Sequence, residues 1–378
     1  MKKILYLFIF FNFLCFSNLF AEEEYFSGKI ISLISENEVT TEESIEKILK
    51  FQVEILEGEK LGENIEIELP VYKEKQYNIL AKVGDKVVLY RSYDENYDMD
   101  ETLEEMKENY QKEKYRIERI DISDVDKRKS YYTLIGIFCI LTFIIARKNG
   151  LKALISLLMT LIFIVKIFIP MISKGNSPIF WAVITCIFST FITTLFITGF
   201  SKKTFIVILG TTSGVLISGF LSYYFIDVMR LTGYSDAETL SYAHIIMNIN
   251  LKELISAGVI IGSLGAVMDV AVSIASSINE IYENNSKIEF RNLFIAAMNI
   301  GNDIIGTMIN TLVLAYIGSS ILTLLLVYLQ SSDYPLIRIL NYENIVIEIL
   351  RAICGSIGIL IVIPFTAYIG ARIYKRNK

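Results

Sequence analysis

One histidine, His244, and four cysteines in 378 residues leave little for metal chemistry or histidine-based catalysis. Cys15 lies in the N-terminal apolar run, and Cys139, Cys186 and Cys354 lie in later ones. The chain therefore offers neither a disulfide framework nor a zinc cluster. His244, with no cysteine or second histidine beside it, reads as a surface or packing residue. P-loop, metal-hydrolase and Ser/His/Asp patterns are missing as well, so no nucleotide-driven step is expected within the chain, and no cofactor.

What the chain has in abundance is apolar: 53% hydrophobic residues, with 23 Phe and 22 Tyr, beside 20% charged residues. That is too apolar for an ordinary soluble domain and too charged for one embedded throughout, so the two properties must be segregated. Residues 22–130 hold 29 acidic and 17 basic residues, net −12, whereas the rest holds 12 acidic and 19 basic, net +7. An acidic aqueous domain is joined to a basic membrane domain, and no nucleic-acid partner is expected.

Residues 1–21 have a basic tip, an apolar run and Ala21 ahead of acidic residues, the layout of a signal peptide or signal anchor. Leu19 is a poor residue for the −3 position of cleavage, so both alternatives stay open. Residues 22–130 then alternate apolar and polar in "FSGKIISLIS", "KFQVEILEG", "ENIEIELP" and "DKVVLYRSY", with turns at Gly58, Gly62 and Gly84-Asp85. This predicts a small exported β-rich domain, for which a barrel is one available form. Its acidic stretch 93–114 reads as a solvated segment, because carboxylates without fixed geometry define no cation site.

Residues 131–378 form the predicted multi-pass helical domain, the fold being membrane all-α behind the β-rich domain. Its apolar runs are Tyr131–Ala146, Leu151–Ile172, Ile179–Phe200, Thr204–Ile226, Leu254–Ile278, Ile300–Leu329 and Ile345–Ile369. A crossing needs about 20 residues, giving about seven helices in a lipid bilayer. Within the sixth run "YIGSSIL" offers a break, and "SKIEFRNLFIAAM" ahead of it reads as an amphipathic helix along the inner surface. Ser235 before Glu238 and Asn250 before Glu253 have capping-box spacing.

Basic residues set the expected orientation, with residues 22–130 outside a bacterial cell membrane and the C-terminus cytoplasmic. Arg147, Lys148, Lys152, Lys202, Lys203, Lys287, Arg291, Arg372, Lys375, Arg376 and Lys378 then lie inside, against Lys174, Arg230, Lys252 and Arg338 outside. Lys127, Arg128 and Lys129, outside, run against the rule.

Small and polar residues recur at helical spacing. On the fifth run Gly258, Gly262, Gly265, Asp269, Ser273, Ser276 and Glu280 make one stripe, and on the sixth Asn299, Asp303, Gly306 and Asn310 make another, flanked by Thr307 and Thr311. Gly210 and Gly214 on the fourth run and Gly355 and Gly358 on the seventh complete the set. For the glycines, helix packing is the expected role.

Asp269 differs in kind, because a carboxylate at mid-span costs about 3 kcal/mol on insertion scales and normally faces a cavity, a partner or a substrate path. Helix rise puts it about 14 Å, and Asn310 about 15 Å, from the inner ends of their runs. Asp303, about 5 Å from that end, reads as interfacial, holding Lys287 or Arg291. Lys166 can snorkel to the surface and is given no role, and Glu348 and Arg351 are spaced to pair.

"FSKKTFIVILGTTSGVL", "LTGYSDAETL", "GAVMDVAVSIASSINE", "RNLFIAAMNIGNDIIGTMINTLVLAYIG" and "EILRAICGSIGILIVIPFTA" together resemble the YibE/F family of bacterial multi-pass membrane proteins. "KVGDKVVLY" followed by "YRIERIDIS" resembles its exported N-terminal region. The resemblance implies a signal or anchor, an exported β-rich domain and a membrane bundle, and it carries no defined active-site residues.

The leading expectation is a permease or channel-like transporter for a small solute or ion, with Asp269, Ser273, Thr307, Asn310 and Thr311 along its path. The alternative is a membrane scaffold or sensor whose exported domain binds a partner, and a homo-oligomer or a partner membrane protein fits either. An intramembrane aspartyl protease ranks below both: "IGND" lacks the glycine spacing, and Asp269 and Asp303 differ in estimated depth by about 9 Å.

Overall fold

The computed structural model describes residues 25–38, 44–58, 60–75, 78–95, 116–234, 248–330 and 334–375. The signal or anchor, most of the acidic stretch, the Ser235–Glu238 box and His244 lie outside the described residues. Two compact units result, Met1–Ile140 and Leu141–Lys378.

In the first unit, β1 (Tyr25–Glu38) pairs antiparallel with β2 (Ile45–Ile55) and, from Tyr25 to Lys29, with β4 (Lys86–Glu95). The pairs β2 with β3 (Asn64–Tyr72) and β4 with β5 (Arg116–Val125) complete the order β3-β2-β1-β4-β5. A three-strand meander whose fourth strand returns beside the first is a Greek key. Because the edge strands β3 and β5 also approach each other, the five-stranded sheet curls into a partly open barrel, with no ladder between those two edges among the described residues.

The period-2 pattern explains the strands. Phe51, Val53 and Ile55 on β2, Ile67 and Leu69 on β3, and Val87 and Leu89 on β4 are all buried, and Lys50 meets Glu66 on the outer face at 2.8 Å. Two bulges bend β1 so that it serves both neighbours. At Gly28 the barrel wall is tightest: a Cβ there would lie 2.7 Å from Leu89 Cδ1 and 2.9 Å from Val53 Cγ1.

At the exit from β5, two of the three consecutive basic residues Lys127, Arg128 and Lys129 are paired. Lys127 bonds Asp124 at 2.7 Å, and Arg128 Nε bonds Asp126 at 3.0 Å, so two of the three charges are locally neutralised. The Arg128 guanidinium holds the Asp126 carboxyl below the ordinary carboxylate range, and the Lys127 hydrogen bond does the same for Asp124. A lowered folded-state value contributes stability that is present above the unfolded value near pH 4 and is lost as pH falls through the lowered one. Protection of the amides at residues 126–130, taken relative to the free-chain exchange rate at each pH, is therefore expected to fall below about pH 4, and less so in Asp126→Asn.

From Arg128 onward the described chain is mainly helical, the first helix beginning in the first unit and running into the second. Six helices are long and apolar enough to cross a bilayer when Arg128–Ser173 is counted as one. That stretch comprises α1 (Arg128–Phe163), a π-turn (Ile164–Phe168) and α2 (Ile169–Ser173). Its 46 residues would extend about 69 Å, more than twice the hydrocarbon thickness. At Arg147 the backbone leaves helical geometry (φ 49°, ψ −126°), and Gly150 comes against the Thr142 carbonyl. The bend divides the stretch into two apolar helical segments, where the sequence pattern has two of its seven apolar runs.

The remaining elements are α3 (Pro178–Thr198), α4 (Lys202–Val228), α5 (Leu251–Asn284), α6 (Phe290–Ser319), α7 (Ile321–Gln330), α8 (Leu336–Ile339) and α9 (Glu343–Lys375). Ser177, Ser201 and Asn250 cap α3, α4 and α5 by accepting backbone N–H bonds. Helices α4, α5 and α9 pack mutually at the centre, with α3 and α6 flanking. Ile206, Val207, Val267, Ala271, Ile274, Ile359 and Val362 are fully buried between them.

One boundary differs from expectation. No separate surface helix precedes the sixth span, because α6 runs unbroken from Phe290 to Ser319. Neither Pro nor Gly occurs from Phe290 to Ile300 to interrupt it. The chain breaks at Ser320, inside "YIGSSIL", before α7.

Candidate functional site

Arg351 and Arg372 on α9 bracket 20 uncharged residues, about 30 Å of helix and so one hydrocarbon thickness. This stretch provides a ruler for depth. A Cβ on Gly355 would lie 2.9 Å from Leu312 Cδ2 and 3.3 Å from Ser263 Cβ, so α9, α6 and α5 share a level there. Six residues further along each helix, about 9 Å, the shared level is Ile361, Gly306 and Asp269. Ile361 is midway between Arg351 and Arg372, so Asp269 stands at the middle of the apolar stretch.

At that level the two helices leave room. No atom of the described residues lies within 4 Å of the position a Cβ would occupy on Gly265 or Gly306, so among the described residues these two glycines have no packing neighbour. Asp269, Ser273, Thr307, Asn310 and Thr311 are all exposed on the surface of the bundle. All lie within about five residues, or 8 Å, of the Asp269 level. Gly306 rather than Asn310 stands level with Asp269, Asn310 being one turn away.

Asp269, Asp303, Asn299, Asn302 and Asn310 make no hydrogen bond or ion pair among the described residues. Thr307 Oγ1 donates to the Ile304 carbonyl at 2.9 Å and Thr311 Oγ1 to the Thr307 carbonyl at 2.8 Å. Their donors are committed to the helix, leaving oxygen lone pairs outward.

Asp303 lies deeper than hydropathy places it. Because α6 begins at Phe290, Asp303 is 13 residues inside it and about 4–5 Å in rise from the Asp269 level, not near a helix end. Neither Lys287 nor Arg291 bonds it among the described residues. The two carboxylates do not contact each other, so no proton-sharing pair forms within one chain.

The glycine sets divide by role. A Cβ on Gly210 would strike Thr366, and one on Gly214 would lie 2.7 Å from Val267 Cγ1 and 3.0 Å from the Gly358 carbonyl. Gly358 faces Ser218 and the Gly214 carbonyl. These contacts let α4 and α9 touch backbone to backbone. A Cβ on Gly262 would lie 2.5 Å from Tyr316 Oη, and one on Gly258 would lie 3.8 Å from Arg351 Nη2.

Tyr316 is a residue that periodicity alone does not single out. With Arg351 and Glu348 it ends the span in a polar cluster: Arg351 Nη1 donates to Glu348 Oε1 at 2.6 Å, while Arg351 Nε, Glu348 Oε2 and Tyr316 Oη are buried without a partner among the described residues. Both charged side chains keep partial exposure, 33% and 26%, which tempers the cost of losing one. Arg351→Ala is expected to lower stability by about 1–2 kcal/mol by stranding Glu348. The double variant with Glu348→Ala should recover most of that in detergent thermal melts.

Long apolar helices packed through glycines, with carboxylate and carboxamide groups at mid-span, define a multi-pass integral membrane protein. Residues 134–376 match the model of the YibE/F-like proteins, and the chain belongs to that family. No curated protein and no solved structure matches the chain.

Proposed function

We propose that the chain is a permease or channel-like transport component for a small solute or cation, its path running along the exposed faces of α5 and α6. Asp269 and Ser273 line it from α5, and Thr307, Asn310 and Thr311 line it from α6. In this reading residues 22–130 are extracytoplasmic and the basic C-terminus is cytoplasmic in a bacterial cell membrane.

The observation that carries the reading is Asp269 itself: a carboxylate at mid-span depth, exposed beside open space, with no cationic partner among the described residues. A fixed structural carboxylate would be expected to have a permanent partner, because its insertion is costly. A mobile cation or proton supplies one. Thr307 and Thr311, at similar depth on α6, present acceptors rather than donors, which suits a cation better than an anion.

The test uses the purified full chain in liposomes. Flux of protons, Na⁺ and K⁺ is followed with trapped indicator dyes, for wild type and Asp269→Asn. Loss of flux with normal insertion supports the path; an Asp269→Asn variant as active as wild type removes it.

A further inference from the structure

On α6 the residues Asn299, Asp303, Gly306, Asn310, Val313 and Ile317 follow one another at 4, 3, 4, 3 and 4 positions. Spacing that alternates between 4 and 3 and averages 3.6 residues keeps all six on one face of the helix, a continuous line along which another helix can pack. This is not the face α6 uses within its own chain. There the packing residues are Ala297, Gly301 and Leu312, on the opposite side of the helix. Asn299, Asp303, Gly306, Asn310 and Ile317 are exposed, and Val313 is half-buried.

The seam cannot be left against lipid. Asn299, Asp303 and Asn310 lack hydrogen-bond partners among the described residues, and acyl chains offer none. We propose that this seam of α6 is the contact between two copies of the chain, related by a two-fold axis along the membrane normal.

The chemistry selects a second copy as the occupant. Every copy inserts in the same orientation, so each seam residue meets itself at its own depth. A carboxamide both donates and accepts, so Asn299 and Asn310 are each complementary to themselves, and Asn310 paired in this way forms a wall of the proposed path rather than a free ligand in it. Gly306, between them, faces open space and lets the two helix axes approach closely. Asp303 is the exception: two copies place two carboxylates together, which is tolerated only when a proton or a cation lies between them. The inference does not rest on the transport reading, since the seam must be covered whether or not the protein conducts.

The experiment is oxidative cross-linking of the full chain in native membranes, with Cys15, Cys139, Cys186 and Cys354 replaced by serine. Single cysteines are introduced by Asn299→Cys, Gly306→Cys and Asn310→Cys, with Ala297→Cys and Met308→Cys as controls on the opposite face. A band at twice the monomer mass is expected at the three seam positions and at least tenfold less at the controls. Gly306→Leu in the Asn299→Cys background should cut the yield at least fivefold while leaving the monomer folded, because the side chain enters empty space in a single chain. Asp303→Asn should raise the yield, replacing a repelling pair by a complementary one. Equal yields on both faces, no band at any seam position, or a band of another mass, reporting a different partner protein, would each overturn the proposal.

Discussion

Asp269→Asn is expected to abolish ion flux, by a factor of at least about 100, while the protein still inserts and remains monodisperse. Two considerations set the size. First, the charge is the only one on α5 between Glu253 and Glu280, so neutralising it removes the formal anion at mid-depth of that helix. Second, in a low-dielectric layer one carboxylate–cation interaction is worth several kcal/mol, and about 1.4 kcal/mol corresponds to tenfold in a binding constant. Insertion itself should improve, since asparagine costs less in the bilayer than an ionised carboxylate. Thr307→Ala and Thr311→Ala should have milder effects, about two- to tenfold, because a neutral hydroxyl contributes only part of a coordination shell. A structural role for Asp269 predicts a different ordering: Asp269→Asn would lower abundance or melting temperature together with flux. Measuring both on the same sample separates the two.

Gly358→Leu should be the most damaging single change to the fold. Gly358 and Gly214 bring α9 and α4 together at carbonyl distance, and a Cβ on Gly358 would strike Ser218 and lie 3.0 Å from the Gly214 carbonyl. Backbone cannot rotate away as a side chain can, so the two central helices would have to separate. That would open the layer in which Val267, Val362 and Ile359 are fully buried. Overpacking typically costs about 1–3 kcal/mol, and a site hemmed by backbone on both helices belongs at or above the upper figure. Size-exclusion profiles of fluorescently tagged protein in mild detergent should show Gly358→Leu as aggregated or absent. Gly265→Leu, whose Cβ meets nothing within 4 Å, should elute normally. If both variants behaved alike, the distinction between packed and open glycines would fail.

That distinction shows how far sequence pattern reaches. Spacing places Gly210, Gly214, Gly355 and Gly358 on helix faces in the same way that it places Gly265 and Gly306, yet the first four meet neighbours and the last two meet none. Helical period defines which residues share a face, but which face finds a partner depends on the arrangement of all the helices. The same limit applies to Asp303. Apolarity begins at Ile300, so a hydropathy boundary puts Asp303 near a surface; the helix begins ten residues earlier, because backbone hydrogen bonding propagates through polar residues when no Pro or Gly interrupts it. In the β-domain the alternating runs mark out the strands, while the Greek-key order came only from long-range pairing, which local alternation does not encode.

Local composition and period are enough to establish that an acidic β-rich domain precedes a set of bilayer-length apolar helices, because the hydrophobic effect and the need to satisfy every backbone hydrogen bond in lipid act on them directly. They also establish that a carboxylate sits near mid-span on α5, since depth follows from counting residues at fixed rise. That this carboxylate and the carboxamides of α6 lie on the outside of the packed chain emerges only from the folded bundle. Sidedness of that kind is set by close packing at α4, α5 and α9, where glycine-to-backbone contacts at Gly214 and Gly358 fix which faces turn inward and so which polar groups must be met from elsewhere.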